Sequence, residues 1–201
     1  AKSERTQPGD SGAENPYAVP AQVATLGNAL ETRGMNFMWF ARGTWARDWL
    51  LAQIPNGATV MNGGSATLKQ TGVMAALESG PYNFLRPGIR KVTDAADRIK
   101  VRRAAASADY VVGGINAITM AGEIVNIDGS GNRLAAYAYG AGKLFLLAGI
   151  NKIVPDLNAA FERARNVAAR DECRHLGSNT PCATTGRCDN YNCLSRARQC
   201  G

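Results

Sequence analysis

Histidine occurs once in the 201 residues, at His175, and aromatic residues make up only 7%. That single imidazole lies far along the chain from every glycine-rich stretch, which argues against a Ser-His-Asp triad. No glycine run ends in Lys-Ser or Lys-Thr, so no P-loop is present, and no GxGxxG follows the first strand candidate. Long apolar runs are missing as well. The longest lie near "LFLLAGI" (Leu144–Ile150), well short of the ~20 residues that a membrane-spanning helix needs. The N-terminus lacks the charged, apolar and small-residue succession of a secretory signal, although a removed targeting peptide would leave no trace.

What remains is the composition of a globular protein, with 45% hydrophobic and 19% charged residues. The net charge is +7, much of it in "RPGIRKVTDAADRIKVRR" (Arg86–Arg103) and in arginines beyond Arg163. Such a surplus suits phosphates or acidic partners, while the plainer reading is a solvated helix face. No aromatic residues interleave with these arginines, so a nucleic-acid partner is not expected.

Three parts are expected. Residues 1–15, "AKSERTQPGDSGAEN", form a polar arm too poor in apolar side chains to order itself. Residues 16–170 alternate between helical and extended patterns, and residues 171–201 form a Cys-rich tail. Val19, Val23, Leu26 and Leu30 recur at helical spacing, with Gly34 as the stop. "MNFMWF" reads as a short strand, and "TWARDWLLAQI" as a helix capped by Thr44. "ATVMN", "YNFL", "DYVVGGI", "EIVNI" and "KLFLLAGI" read as further strands. Helices are expected in "ATLKQTGVMAALES", "VTDAADRIKVRRAAASA", "GNRLAAYAYG" and "VPDLNAAFERARNVAA", the last with Pro155 in its first turn. The alternation predicts an α/β fold with a largely parallel sheet flanked by helices. "YVVGGI" and "KLFLLAGI" are continuously apolar, as central strands buried on both faces should be.

Ligands of such sheets sit beyond the C-terminal strand ends. In "NGGSATL" (Asn62–Leu68), Gly63 and Gly64 permit a sharp turn, Ser65 is placed to cap a helix and Thr67 adds a hydroxyl. The alternative is a plain N-cap. In "GGINAIT" (Gly113–Thr119), Asn116 offers a donor and an acceptor to a hydroxyacid or sugar, or else bonds backbone in a turn. In "NIDGSGNR" (Asn126–Arg133), Gly129 and Gly131 are turn formers, and Asn132 and Arg133 open a helix. Arg133 is a fork for a carboxylate or phosphate, or else pairs with Asp128 and locks the loop. Asp128 is the candidate for any acid–base work. Lys152 either meets an anion or lies on the surface, and Asp156 suits a helix start.

Cys173, Cys182, Cys188, Cys193 and Cys200 are an odd set without a signal, which favours reduced thiols in the cytoplasm or an organelle interior. The last four, at C-x5-C-x4-C-x6-C, are candidate ligands of zinc or an iron–sulfur centre, with disulfides and free thiols as alternatives. His175 is a substitute ligand or a structural residue.

"GGSATL", "GGINAITMAGEIVNIDGSGNRLAAYAYG" and "KLFLLAGINKIVPDLNAAFERARNVAA" resemble the LUD (lactate utilisation) domain family, which includes the LutC and YkgG proteins. The likeness is densest from about Ala58 to Ala169. "TPCATTGRCDNYNCLSRARQC" resembles the cysteine-bearing end of a short subgroup, which usually has two residues between its second and third cysteines. Here four residues, "DNYN", separate Cys188 from Cys193. The resemblance implies a fold like those of ribose-5-phosphate isomerase, glucosamine-6-phosphate deaminase and the CoA transferases. It also implies a link to oxidation of L-lactate to pyruvate alongside iron–sulfur subunits. No Glu stands out as a CoA-transferase nucleophile, since "AGEIVN" places Glu123 on a hairpin.

Three functions follow as expectations. The first is a LUD-type protein binding a small anionic ligand at the glycine loops. The second is a non-catalytic subunit or scaffold of a larger assembly. The third is an isomerase or acyl-transfer enzyme on the same fold.

Overall fold

The computed structural model describes residues 18–189 and 193–200. The polar arm expected over residues 1–15 lies outside the described residues.

Four parallel strands form the main sheet in the order β2-β1-β3-β6: β1 (Thr59–Asn62), β2 (Asn83–Phe84), β3 (Tyr110–Gly114) and β6 (Lys143–Leu147). Register is set at the N-terminal ends, where Thr59 N and Oγ1 donate to Asp109 Oδ2 at 2.9 and 2.6 Å. All the strands point the same way, so Asn62, Gly114 and Leu147 end them at one edge of the layer.

Each face of the sheet carries its own core. Val60 and Val112 face Leu68, Val73 and Leu77, which are fully buried. These come from α3 (Ala66–Gln70) and α4 (Val73–Ser79), with Leu50 from α2 (Gly43–Leu51). Met61 and Val111 alternate to the other face and meet Leu144 and Ala136. Helices α5 (Leu85–Lys91), α6 (Ala95–Ala105) and α7 (Asn132–Ala135) are associated with that side, and α7 runs on as a π-helical turn over Ala136–Gly140. Each large side chain removed from water contributes roughly 1.5–3 kcal/mol, which holds the two layers on the sheet.

A smaller sheet has the order β5-β4-β7: β4 (Ala117–Thr119), β5 (Ile124–Val125) and β7 (Ile153–Val154). Ala160 and Ala164 pack on it from α8 (Leu157–Arg163) and its π-helical continuation Ala164–Ala169. Two short helices follow, α9 (Arg170–His175) and α10 (Pro181–Thr185).

The helix expected before Gly34 is α1 (Ala21–Thr32). Gly34 stops it with φ +78°, and Met35 N reaches back to Leu30 O at 3.0 Å. Several other expectations are corrected. Met35–Phe40 is irregular rather than a strand. Its aromatic rings take packing roles instead, with Phe37 against Gly27 of α1 and Phe40 against Trp49 at 5.7 Å. Thr44 lies inside α2, whose cap position is Arg42. Pro155 precedes the cap of α8, which is Asp156, whose carboxylate accepts from Ala159 N at 2.8 Å. "KLFLL" is an edge strand, not a central one, because no strand pairs with it beyond β3 among the described residues. Its open side borders a cleft of about 800 Å³ shared with α1 and Met35–Phe40, which accounts for its apolar character. No helix among the described residues is long and apolar enough to cross a membrane.

Candidate functional site

The strand ends gather the three glycine loops into one cluster. Ser65 caps α3 by accepting from Leu68 N at 3.3 Å, and its Oγ lies 2.5 Å from where a Cβ on Gly114 would stand. A side chain at 114 would crowd the capping hydroxyl, so the β1 and β3 loops meet closely here. A Cβ on Gly63 would meet Arg133 Cδ at 3.1 Å, which joins the β1 loop to α7. A Cβ on Gly64 would stand 3.6 Å from Glu172 Oε1 of α9, and one on Gly129 would stand 2.6 Å from Gln199 Oε1 of the tail. Thr67 lies in the single turn of α3, where its carbonyl accepts from the Thr71 hydroxyl at 2.8 Å.

"NIDGSGNR" is a closed loop. Asp128 Oδ1 accepts from Ser130 N at 3.0 Å and Gly131 N at 2.8 Å. Its other oxygen lies 3.2 Å from Arg133 Nε, a charge contact set at too poor an angle for a full hydrogen bond. Arg133 also donates to Ile127 O at 2.5 Å. Gly131 takes φ +73°, the left-handed region that favours glycine, and delivers the chain into α7. Asn132 Oδ1 accepts from Arg102 at 2.6 Å and from Ser130 Oγ at 2.7 Å.

Asn116 is half of a clasp. Its Oδ1 accepts from Ile127 N at 2.8 Å, and its own N–H donates to Asn126 Oδ1 at 3.1 Å. Lys152 is half-buried and donates to Ile115 O at 2.6 Å. Arg163 donates to the neighbouring Asn116 carbonyl and to Asn151 O at 3.0 Å. Burial, then the charges of Arg163 and Arg133, push the Lys152 ammonium down to about 8.

Five residues beyond the expected set complete the cluster. Arg86 of α5 donates to both oxygens of Asn62, and burial followed by the Arg90 charge lowers its pKa. Arg102 of α6 reaches Ser130 and Asn132. Arg163 of α8 donates to the Asn116 carbonyl. Tyr137 donates to Gly114 O at 3.0 Å, and its phenol is pushed up to about 12, chiefly by burial. Asn62 is fully buried, and its amide nitrogen has no hydrogen-bond partner among the described residues. Asn62, Gly63, Arg102, Asn132, Arg133 and Tyr137 line one hollow of about 10 Å³, roughly the room of a single water. The spacing Arg133–Tyr137 is a single helical turn, so Tyr137 was legible from its neighbour. Arg86 and Arg102 lay in the basic stretch that also reads as a solvated face, and nothing local marks Arg163.

The zinc or iron–sulfur centre expected at Cys182, Cys188, Cys193 and Cys200 finds no support. Among the described residues no three His, Cys, Asp or Glu side chains are grouped so as to hold a metal ion. The cysteines are free thiols, Cys173 buried and the others half-buried.

A family model described as LUD domain matches residues 23–198, running from α1 into the cysteine tail. No curated protein and no solved structure matches the chain. With most of its length matched by that one model, the chain belongs to the LUD domain family.

Proposed function

We propose that the chain binds a small organic anion at the strand ends, with a hydroxyacid such as lactate as the first candidate. The observation that carries this reading is an imbalance of charge. Arg86, Arg102, Arg133, Lys152 and Arg163 reach the ends of β1 and β3 and are only partly offset by Asp128, which faces Arg133, and by the charges of Glu172 and Glu78 on Arg86 and of Asp171 on Arg163. Partly buried like charges raise one another's energy, and an anion relieves that cost. The unpartnered amide of Asn62 supplies a neutral donor at the same place. The 10 Å³ hollow holds about one water, so a ligand enters only as the half-buried Arg102 side chain swings outward.

Binding suits these groups better than catalysis. Asp128 already accepts two N–H groups and faces Arg133, so its carboxylate is committed to the loop. This supports a ligand-holding subunit, with chemistry supplied by partner subunits in lactate utilisation. Calorimetric titration of the full chain with L-lactate, pyruvate and inorganic phosphate tests the reading. Saturable binding that weakens about tenfold in Arg102→Ala is expected, the scale of one lost charge-assisted hydrogen bond. Equal affinity in the variant would overturn the assignment.

A further inference from the structure

The open edge of β6 is recessed between two walls. Lys143 N donates to Asp109 O at 2.8 Å, with Lys143 in register with Tyr110 of β3. In a parallel ladder every second residue bonds to a given neighbour, so Phe145 and Leu147 also face β3. Leu144 and Leu146 therefore turn their backbone N–H and C=O groups outward, where no strand pairs among the described residues. Successive side chains leave a strand on opposite faces. Leu146 packs with Leu26 and Leu30 of α1, while Phe145 meets the Trp49 ring of α2 edge-on at 6.1 Å. The two helices thus flank the edge on opposite faces of the sheet, and both line the cleft of about 800 Å³.

Two further observations say what fills this slot. A strand of about five residues, at ~3.3 Å per residue, ~4.8 Å from its neighbour and in a layer ~10 Å deep, takes up roughly 800 Å³. The cleft has that volume. Its walls also hold idle donors. Trp39 Nε1 and Trp49 Nε1 are buried without a hydrogen-bond partner among the described residues, and both side chains line the cleft. An extended backbone brings one carbonyl acceptor per residue.

We propose that the slot takes one extended segment of a partner protein, about five residues long and apolar on both faces, added as a strand beside β6. Its backbone pairs with Leu144 and Leu146, and its side chains alternate between the α1 wall and the Trp49 wall. The folded sheet edge of a second copy would bring its own flanking layers against α1 and α2, so a lone segment fits where that edge does not. Lys143 is exposed at the start of the edge and favours an acidic residue at that end of the segment. None of the cations at the strand ends lines the cleft, so this site stands apart from the anion site.

The test is panning of a phage-displayed library of random linear peptides against the full chain, followed by fluorescence titration of the enriched sequences as synthetic peptides. Enrichment of apolar, proline-free sequences is expected, and no enrichment overturns the proposal. Methylating the backbone nitrogens of alternate peptide residues removes the donors along one strand edge. One of the two possible alternations should weaken binding by at least about tenfold, the scale of two lost main-chain hydrogen bonds. Unchanged affinity in both methylated forms overturns strand pairing. In the free chain the Leu144 and Leu146 amides should exchange faster than those of Phe145 and Leu147, and the unmethylated peptide should slow them. Binding that leaves their exchange unchanged overturns the site. Slow exchange there in the free chain, together with a dimer in gel filtration, would mean that a second copy covers the edge and also overturns the proposal.

Discussion

Arg133 stands between Asp128 and the end of β1. Its Nε is 3.2 Å from Asp128 Oδ2, and its Cδ would be 3.1 Å from a Cβ on Gly63. Both charged side chains are only 14% exposed, so the pair is among the most buried charges of the site. Asp128→Ala leaves a buried guanidinium without its counter-charge and frees the N–H groups of Ser130 and Gly131. Loss of one partner from a buried pair costs roughly 3–5 kcal/mol. Urea unfolding should show a lowered midpoint on that scale. A change under ~1 kcal/mol, the worth of an exposed pair, would mean that the contact does not lock the loop.

The parallel sheet was legible because its strands carry strong signals. "DYVVGGI" is a short apolar run ending in glycine, and it is β3. "KLFLLAGI" has the same pattern yet is an edge strand, because sequence reports that a strand is apolar and not what covers it. "MNFMWF" misled for a related reason: its rings pack on Gly27 and Trp49 without any strand pairing. In the site, the glycine loops and Arg133 were visible from their turn chemistry. Arg86, Arg102 and Arg163 were not, because each reaches the loops from a distant helix, and long-range packing leaves no local mark.

Gly113 and Tyr137 are matched in shape. A Cβ at position 113 would lie 1.6 Å from Tyr137 Oη, a distance no packing tolerates. Gly113→Ala must expel the phenol and break its bond to Gly114 O, and overpacking of this kind costs typically 1–3 kcal/mol. In a Tyr137→Ala background the same substitution should cost less, because the obstructing ring is gone. A double-mutant cycle by thermal or urea unfolding measures the difference. Additive effects would show that the two residues do not touch.

Lys152 makes the site sensitive to alkaline pH. Its ammonium is held down to about 8 by burial and by Arg163 and Arg133, well below the ordinary range of a lysine. A lysine lowered on folding binds its proton less well in the folded state. Stability therefore rises with pH between the folded and unfolded values, and Lys152→Met should remove that rise. An anion beside Lys152 favours the charged form, so binding takes up a proton near pH 8. Anion affinity should fall as pH increases through 8, and calorimetry in buffers of different ionisation enthalpy should detect the uptake. Affinity independent of pH from 7 to 9 would separate Lys152 from the anion.

Asn62 offers the sharpest test of the anion reading. Its Oδ1 already accepts from Arg86 at 3.2 Å, while its amide nitrogen is buried and unpartnered among the described residues. Asn62→Asp is nearly isosteric and keeps the acceptor. It replaces the idle donor with negative charge beside Arg86, Arg102 and Arg133, and so provides the counter-charge from within the chain. The folded state should survive at neutral pH, since the new carboxylate faces cations rather than apolar walls. Its folded pKa would be depressed, so the stability it adds is present above the unfolded value near 4 and is lost as pH falls through the folded one. Affinity for phosphate or lactate should drop by at least about tenfold, because an incoming anion would meet a like charge. A folded Asn62→Asp protein that binds these anions as tightly as the parent chain would show that the cations at the strand ends serve the fold and not a ligand.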